Sequence, residues 1–131
     1  MPAIDTDALV ALHTSTHPHH SAARRMFEEA PQVYLHPSVA TEFTTVLRRQ
    51  ANKAQLDGNK VAREALQGVL AQPRVQLSVD VSHKDATLRY LSSHGLSFTD
   101  AIVAQFCWSA DKQQPITFDA AVIKASYDKP A

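Results

Sequence analysis

Two aspartates directly follow short apolar runs at opposite ends of the chain. Asp5 comes after Ala3 and Ile4, and Asp119 lies just past the run 115–117. In open α/β sheets, ligand sites lie outside the carboxyl ends of the strands. If both runs are strands of one parallel sheet, we expect Asp5 and Asp119 to share one edge of it.

Two further acids belong to helical patterns. Asp100 lies in the first turn of one, and Glu42 lies three residues after Val39 and four before Val46 in another. This spacing places Glu42 beside the apolar stripe of its helix, so we expect its side chain to point inward, away from free solvent. A carboxylate in that position needs a partner.

The segments around these four acids contain no basic residue. Crowded carboxylates without a counter-charge disfavour one another's ionised forms. A hard divalent cation, Mg²⁺ or Mn²⁺, relieves this repulsion, takes oxygen ligands and also binds substrate phosphate oxygens. In phosphodiester hydrolysis, one such ion can activate water while another stabilises the leaving oxygen. The four acids therefore predict a carboxylate metal site that handles phosphate.

Each acid also has a structural interpretation. Asp5 and Asp7 are suited to cap a following short helix. The segment Ser97–Asp100 resembles a capping box with Asp in place of Glu. Glu42 taken alone is typical of a solvated helix residue, and Asp119 of a residue that begins a turn or caps the last helix. The two kinds of role are compatible, and both stay open at this point.

The elements that must position these acids alternate along the chain. Four apolar runs have strand character, namely Ala3–Ile4, Val33–Leu35, Val75–Leu77 and Pro115–Thr117. Helical periodicity fills the intervals, over residues 9–12, 22–30, 37–47, 61–70, 86–91 and 102–107. Because each interval leaves room for a helical crossover, we predict an α/β domain with a short parallel sheet covered on both faces.

Composition limits the classes of protein to which the chain can belong. It has 131 residues, 44% of them apolar, with 13 Lys plus Arg against 13 Asp plus Glu. This predicts one globular domain over residues 1–131 and excludes a strongly basic nucleic-acid coat. The single Cys107 and the lack of a long apolar run favour a cytoplasmic protein with no membrane contact.

Four motifs in order carry a resemblance to a known family. They are Ile4–Leu9, Pro37–Phe43, Leu96–Ala104 and Ile116–Asp119. This series resembles that of the PIN-domain ribonucleases, and in particular of the VapC-type toxins of toxin–antitoxin modules. The resemblance spans residues 3–119, nearly the whole chain. Each motif is weak alone, whereas four in the same order are fairly specific.

The resemblance implies a PIN-like three-layer α/β/α domain with a four- or five-stranded parallel sheet. It also implies an Mg²⁺- or Mn²⁺-dependent endoribonuclease that hydrolyses RNA phosphodiester bonds. The implied catalytic and metal-binding residues are Asp5, Glu42, Asp100 and Asp119, with Thr6 and Thr117 in supporting roles. Family members usually form homodimers and are inhibited by a small cognate antitoxin protein, so both partners are expected here.

Two departures from the family pattern affect these expectations. Asp7 stands where many members have Asn, so it either enlarges the acidic cluster or caps a helix. Only 12 residues follow Asp119, fewer than many relatives use for a closing strand. The short C-terminal segment is therefore consistent with a four-stranded sheet that has no closing strand after Asp119.

A cluster of basic residues follows Glu42. Arg48, Arg49 and Lys53 are candidates for contacts with RNA phosphates, although a solvated helix face explains them equally well. The aromatic residues are too few to predict a base-stacking platform, and we assign four of them to the core: Tyr34, Phe43, Phe98 and Phe106.

Other residues and motifs are compatible with other functions. The histidines of segment 13–20 match no trusted Zn²⁺ spacing and indicate an exposed loop, and Cys107 is typical of a buried apolar residue. A phosphatase resembling the haloacid-dehalogenase family would use Asp5 as nucleophile and Asp7 as acid and base, but it leaves Glu42 without a role. A non-catalytic binding module with the PIN fold is the third alternative.

Overall fold

The computed structural model describes residues 2–77, 84–109 and 114–128. In chain order its elements are α1 (Thr6–His13), α2 (His20–Glu29), β1 (Val33–Leu35), α3 (Pro37–Lys53), α4 (Gly58–Leu70), β2 (Val75–Leu77), α5 (Lys84–Ser93), α6 (Phe98–Ser109) and α7 (Ala120–Tyr127). All six predicted helical patterns are therefore helices, and the helix expected after Asp119 is α7.

The parallel sheet is confirmed at all four predicted positions. β1 pairs with β2 in parallel, with Val33 opposite Val75 and Leu35 opposite Leu77. The two other runs join through single parallel bridges, Ala3 to Tyr34 and Ile4 to Ile116. The order across the sheet is thus 116, 3–4, β1, β2. This order places the first and last segments side by side, although more than 100 residues separate them.

Local sequence explains where the longest helix begins and which face it buries. Pro37 occupies the first turn of α3, and His36 caps it by accepting a hydrogen bond from the backbone N–H of Ser38. The stripe Val39, Phe43 and Leu47 is buried in the core. Burial of this stripe determines which side of α3 faces solvent, and the charged residues that follow Glu42 lie on that side.

The helices pack in two groups around the sheet. α1 contacts α2 and α3, and α3 contacts α4. The second group consists of α5, α6 and α7, in which α5 contacts α6 and α6 contacts α7. The rings of Tyr34 in β1 and Phe106 in α6 stack with centroids 3.7 Å apart, which ties the second group to the sheet.

The core assignment was right for three of the four aromatic residues and wrong for the fourth. Tyr34 and Phe43 are fully buried, and Phe106 is partly buried against the same cluster. Phe98, however, is 56% exposed. It is the first residue of α6, and none of the described elements covers it. No helix within the described ranges is long and apolar enough to span a membrane.

Candidate active site

Asp5 is held at the junction of the first sheet segment and α1. Its backbone N–H donates to the carbonyl of Ile116 at 3.1 Å, which places the side chain at the edge of the sheet. One carboxylate oxygen, Oδ1, caps α1 by accepting from the N–H of Ala8 at 2.8 Å. The other, Oδ2, accepts from the hydroxyl of Thr117. The capping interpretation is therefore correct, and it leaves the carboxylate rigidly oriented.

Burial makes this carboxylate unusually basic. Asp5 is only 2% exposed. Desolvation raises its pKa from 3.8 to about 6, with smaller upward contributions from the charges of Asp7 and Asp100. The hydrogen bonds from Thr117 and Ala8 oppose this shift without cancelling it. The site thus holds an acid whose charge is poorly compensated.

Glu42 reaches the same place from α3, but not by burial. The expectation that its side chain lies away from solvent is wrong, because Glu42 is exposed. It precedes Phe43 of the buried stripe and lies at the rim of the helix interface. Its Oε2 accepts a hydrogen bond of 2.8 Å from the hydroxyl of Thr6, which is the first residue of α1. Thr6 therefore orients Glu42 toward the end of the sheet.

Asp100 enters the site from the first turn of α6. Its backbone N–H donates to the hydroxyl of Ser97 at 3.2 Å, as the predicted capping box requires. Burial raises the pKa of its half-buried carboxyl, and the charges of Asp119, Glu42 and Asp7 add to the effect. The pKa of Asp100 thus responds to three other acids as well as to burial.

Asp119 lies beside the cluster and has a structural role of its own. It is the N-cap of α7, with Oδ1 accepting from the N–H of Ala121 at 2.9 Å. Its own N–H donates to Oγ1 of Thr117 at 3.1 Å, so Thr117 links Asp119 to Asp5. The charge of Asp119 acts on Asp100.

These groups surround an open cavity of about 410 Å³. Its lining consists of Asp5, Thr6, Asp7, Thr41, Glu42, Thr45, Val46, Arg49, Ser97 and Asp100. Asp119 is not part of this lining. Within the described ranges, no group of three or more Asp, Glu, His or Cys side chains stands close enough together to hold a metal ion. The described lining thus forms an acidic basin with the guanidinium of Arg49 at its margin.

The structure separates the three basic candidates. Arg49 lines the cavity, whereas Arg48 donates from Nε to Oδ1 of Asn59 on α4 at 2.8 Å. Lys53 is exposed in the last turn of α3. Helical periodicity could have predicted that Arg49 lies at the cavity. Arg49 follows Glu42 by seven residues in α3, so the two side chains fall on the same face of the helix. Ser97 and Thr45, which also line the cavity, were not singled out from the sequence as site residues.

The other sequence features lie apart from the basin. His13 and His20 donate from Nδ1 to the carbonyl oxygens of Leu9 and Ala11, near the end of α1 opposite to Asp5. Cys107 is buried in the core, and burial raises the pKa of its thiol to about 11. His13 and His20 thus satisfy backbone carbonyls near the end of α1, and packing accounts for the thiol.

A family model for the PIN domain matches residues 3–126. The chain belongs to the PIN-domain family. The match covers all four motifs and all four candidate acids, and membership in this family sets aside the haloacid-dehalogenase interpretation of Asp5 and Asp7.

Comparison with solved structures supports the PIN fold independently. The crystal structure of VapC20 from Mycobacterium tuberculosis, described as a sarcin–ricin loop cleaving toxin, superposes with a TM-score of 0.77. The alignment covers 98% of each chain at 22% sequence identity. A search of curated proteins finds no significant match. The PIN architecture is thus shared over the full length of a toxin of this type.

Proposed function

We propose that this PIN-domain protein is a metal-dependent endoribonuclease and the toxin component of a type II toxin–antitoxin system. The observation that carries the proposal is the convergence of Asp5, Glu42 and Asp100, from three separate elements, on one open cavity. The full-length likeness to VapC20, whose description names it a toxin that cleaves the sarcin–ricin loop, supports this assignment.

The donor set suits a hard divalent cation. All the candidate ligands are carboxylates, and burial, with smaller contributions from neighbouring acids, raises the pKa values of Asp5 and Asp100. Mg²⁺ keeps several waters and binds through one or two carboxylates plus phosphate oxygens, so a closed protein cage is not required. We propose Asp5, Asp100 and Glu42 as the residues that hold Mg²⁺ or Mn²⁺, with Asp119 acting on them from outside the cavity. Such an ion supplies activation of water and stabilisation of the leaving oxygen.

The protein's own contribution is to fix these carboxylates before the substrate arrives. Thr117 and the N–H of Ala8 hold both oxygens of Asp5, which prevents the side chain from rotating. Thr6 holds Glu42 at a distance of 2.8 Å, although the glutamate is solvent-exposed. Preorganised charges need no reorientation during the reaction, and this is a main source of catalytic power.

We propose Asp119 as an outer member of the site. It caps α7 and is joined to Asp5 through Thr117, while its charge acts on Asp100. This position allows it to adjust the affinity of the basin for a cation without lining the cavity. Its substitution is therefore expected to weaken metal binding less than substitution of Asp100.

The expected partners follow from the same assignment. We propose that the chain forms one domain over residues 1–131, acts on RNA in the cytoplasm, forms a homodimer and is inhibited by a small cognate antitoxin. Large apolar side chains remain exposed for such contacts, namely Leu56, Leu70, Leu77, Leu88, Phe98 and Tyr127. None of them lines the acidic cavity.

The decisive experiment incubates the purified, partner-free protein with labelled RNA. The substrates are a mixed pool of unstructured RNA and a synthetic sarcin–ricin loop hairpin, each with Mn²⁺, with Mg²⁺ and with chelator. We expect discrete cleavage that requires the metal and is absent in Asp100→Asn. If the wild-type protein leaves every RNA intact but still captures a protein partner, the chain is a non-catalytic PIN-fold binding module and the proposal is wrong.

A further inference from the structure

Within the described part of the chain, Arg49 is the one basic side chain that lines the acidic cavity. It lies on the face of α3 that carries Glu42 and Thr45, and it is exposed. Among the residues that the structure describes, no side chain forms a salt bridge or hydrogen bond with it. An unpaired guanidinium at the margin of a negatively charged basin is available for a ligand that bears its own negative charge.

Three other arginines, Arg48, Arg24 and Arg74, are engaged by contacts within the protein. Arg48 is bound to Asn59 at 2.8 Å, and Arg24 pairs with Glu28 at 2.9 Å. Arg74 donates to the carbonyls of Phe27 and Glu28 and lies over the Phe27 ring, where it satisfies the end of α2. These contacts explain those side chains structurally. They do not explain Arg49.

The geometry of α3 indicates which part of a substrate Arg49 meets. Seven residues along a helix correspond to a rise of about 10.5 Å, so Arg49 and Glu42 lie on one face but well apart. No salt bridge joins them in the described chain. A group held by Arg49 is therefore displaced along α3 from a group held among the carboxylates.

We propose that Arg49 binds a backbone phosphate of RNA adjacent to the bond that is cleaved, and that the strand runs along α3. The inference rests on the proposed ribonuclease function and deepens it. Planar guanidinium groups bind phosphates through paired, charge-assisted hydrogen bonds. Contact with a neighbouring phosphate fixes the register of the strand so that the scissile phosphate falls among the carboxylates.

A binding measurement tests the contact without relying on cleavage. Fluorescein-labelled single-stranded RNA of mixed sequence is titrated with Asp100→Asn protein and with its Arg49→Gln and Arg48→Gln derivatives over a range of salt concentrations. Arg48→Gln removes the same charge from the adjacent position and so controls for long-range electrostatics. Arg49→Lys keeps the charge and tests whether the loss is electrostatic.

We expect Arg49→Gln to weaken binding roughly tenfold, as for loss of one charge-assisted hydrogen bond. The slope of log affinity against log salt should fall in magnitude by about 0.7, the value for one phosphate contact on a single strand. Arg48→Gln should keep the full slope, and Arg49→Lys most of it. Equal slopes for Arg49→Gln and Arg48→Gln would overturn the inference, even if the protein is a ribonuclease.

A second experiment locates the phosphate. RNAs that the wild-type protein cleaves are synthesised with one neutral methylphosphonate linkage on either side of the cleaved bond. We expect one of these flanking replacements to raise KM for the wild-type protein roughly tenfold and to leave KM of Arg49→Gln unchanged, since the contact is already lost. If each neutral linkage affects both proteins equally, Arg49 does not bind a flanking phosphate. Absence of cleavage by the wild-type protein would instead refute the ribonuclease function.

Discussion

At the scale of single residues, the negative charge of Asp5 has opposite effects: it favours binding of a cation but destabilises the metal-free fold. Its folded-state pKa of about 6 lies above the ordinary value of 3.8, so the folded protein binds the proton more tightly than the unfolded chain does. Stability contributed by this group is therefore greatest below about pH 4, and it is lost as the pH rises toward 6. Above that pH the ionised, buried carboxylate destabilises the metal-free protein.

We expect Asp5→Asn to stabilise the metal-free protein at neutral pH while abolishing RNA cleavage. The carboxamide keeps an acceptor for Ala8 and removes the charge, for a gain on the order of 2 kcal/mol. Melting in chelator between pH 4 and 7 measures this. The advantage of the variant over the wild type should grow as the pH rises. An advantage that shrinks over this interval would show that Asp5 is stabilised in its ionised form.

At the scale of elements, two side chains at the start of α6 have different roles: Ser97 caps the helix, and Asp100 contributes a carboxylate to the cavity. The hydroxyl of Ser97 accepts from the backbone N–H of Asp100, so the helix is capped by Ser97. The carboxylate of Asp100 faces the acidic cavity and has a raised pKa. Helix stability and site chemistry therefore depend on two neighbouring side chains.

We expect Ser97→Ala to lower the free energy of unfolding by about 1 kcal/mol, as for loss of an N-cap. Asp100→Asn should change it by less than about 0.5 kcal/mol and should eliminate cleavage. Urea denaturation at pH 7 in chelator distinguishes the two. A large destabilisation by Asp100→Asn would mean that this carboxylate serves mainly as a cap.

Helix α4 contains two glycines in different surroundings. Gly58 is its first residue, where the helix meets α3, and Gly68 lies near its other end. A Cβ at Gly58 would lie 2.7 Å from the backbone carbonyl oxygen of Arg48 and 2.4 Å from Oδ1 of Asn52, whereas at Gly68 nothing lies within 4 Å. We expect Gly58→Ala to destabilise the protein by about 1–3 kcal/mol through overpacking. Gly68→Ala should stabilise it by about 0.5–1 kcal/mol through helix propensity.

Thermal melting of both variants checks this prediction. Equal effects at the two positions would indicate that α3 and α4 do not approach each other as closely as the structure shows. The comparison matters for the site because α3 carries Glu42 and Arg49, whose positions depend on how the two helices pack.

At the scale of the whole molecule, acids from separate elements repel one another across the edge of the sheet. A cation bound there stabilises the folded state because the unfolded chain does not hold these groups together. Stabilisation follows from mass action and reaches about 2.7 kcal/mol at a ligand concentration of 100 times Kd.

We expect Mn²⁺ to raise the melting temperature of the wild-type protein progressively and to have little effect on Asp100→Asn. Asp85→Asn is the matched control, since Asp85 is an exposed acid in the first turn of α5, away from the basin. It should keep the full response to Mn²⁺. A response that survives in Asp100→Asn but disappears in Asp85→Asn would place the cation elsewhere.

Local patterns were sufficient to predict much of the fold. Short apolar runs marked all four pairing segments, and Pro37 and Ser97 marked the starts of α3 and α6. Such signals depend on residues a few positions apart, so a single sequence contains them. The exposure of Phe98 was missed because burial depends on what other elements cover it.

The sequence by itself determined which segments form strands and helices and which side chains were available for chemistry, because propensity, capping and periodicity act locally. Only the tertiary structure decided that Thr117 reaches Asp5 and that Thr6 orients an exposed Glu42. It also decided that Arg49 lines the cavity while Arg48 turns to α4. Distances, burial and the resulting pKa values arise from packing between residues far apart in the chain, and no local pattern specifies them.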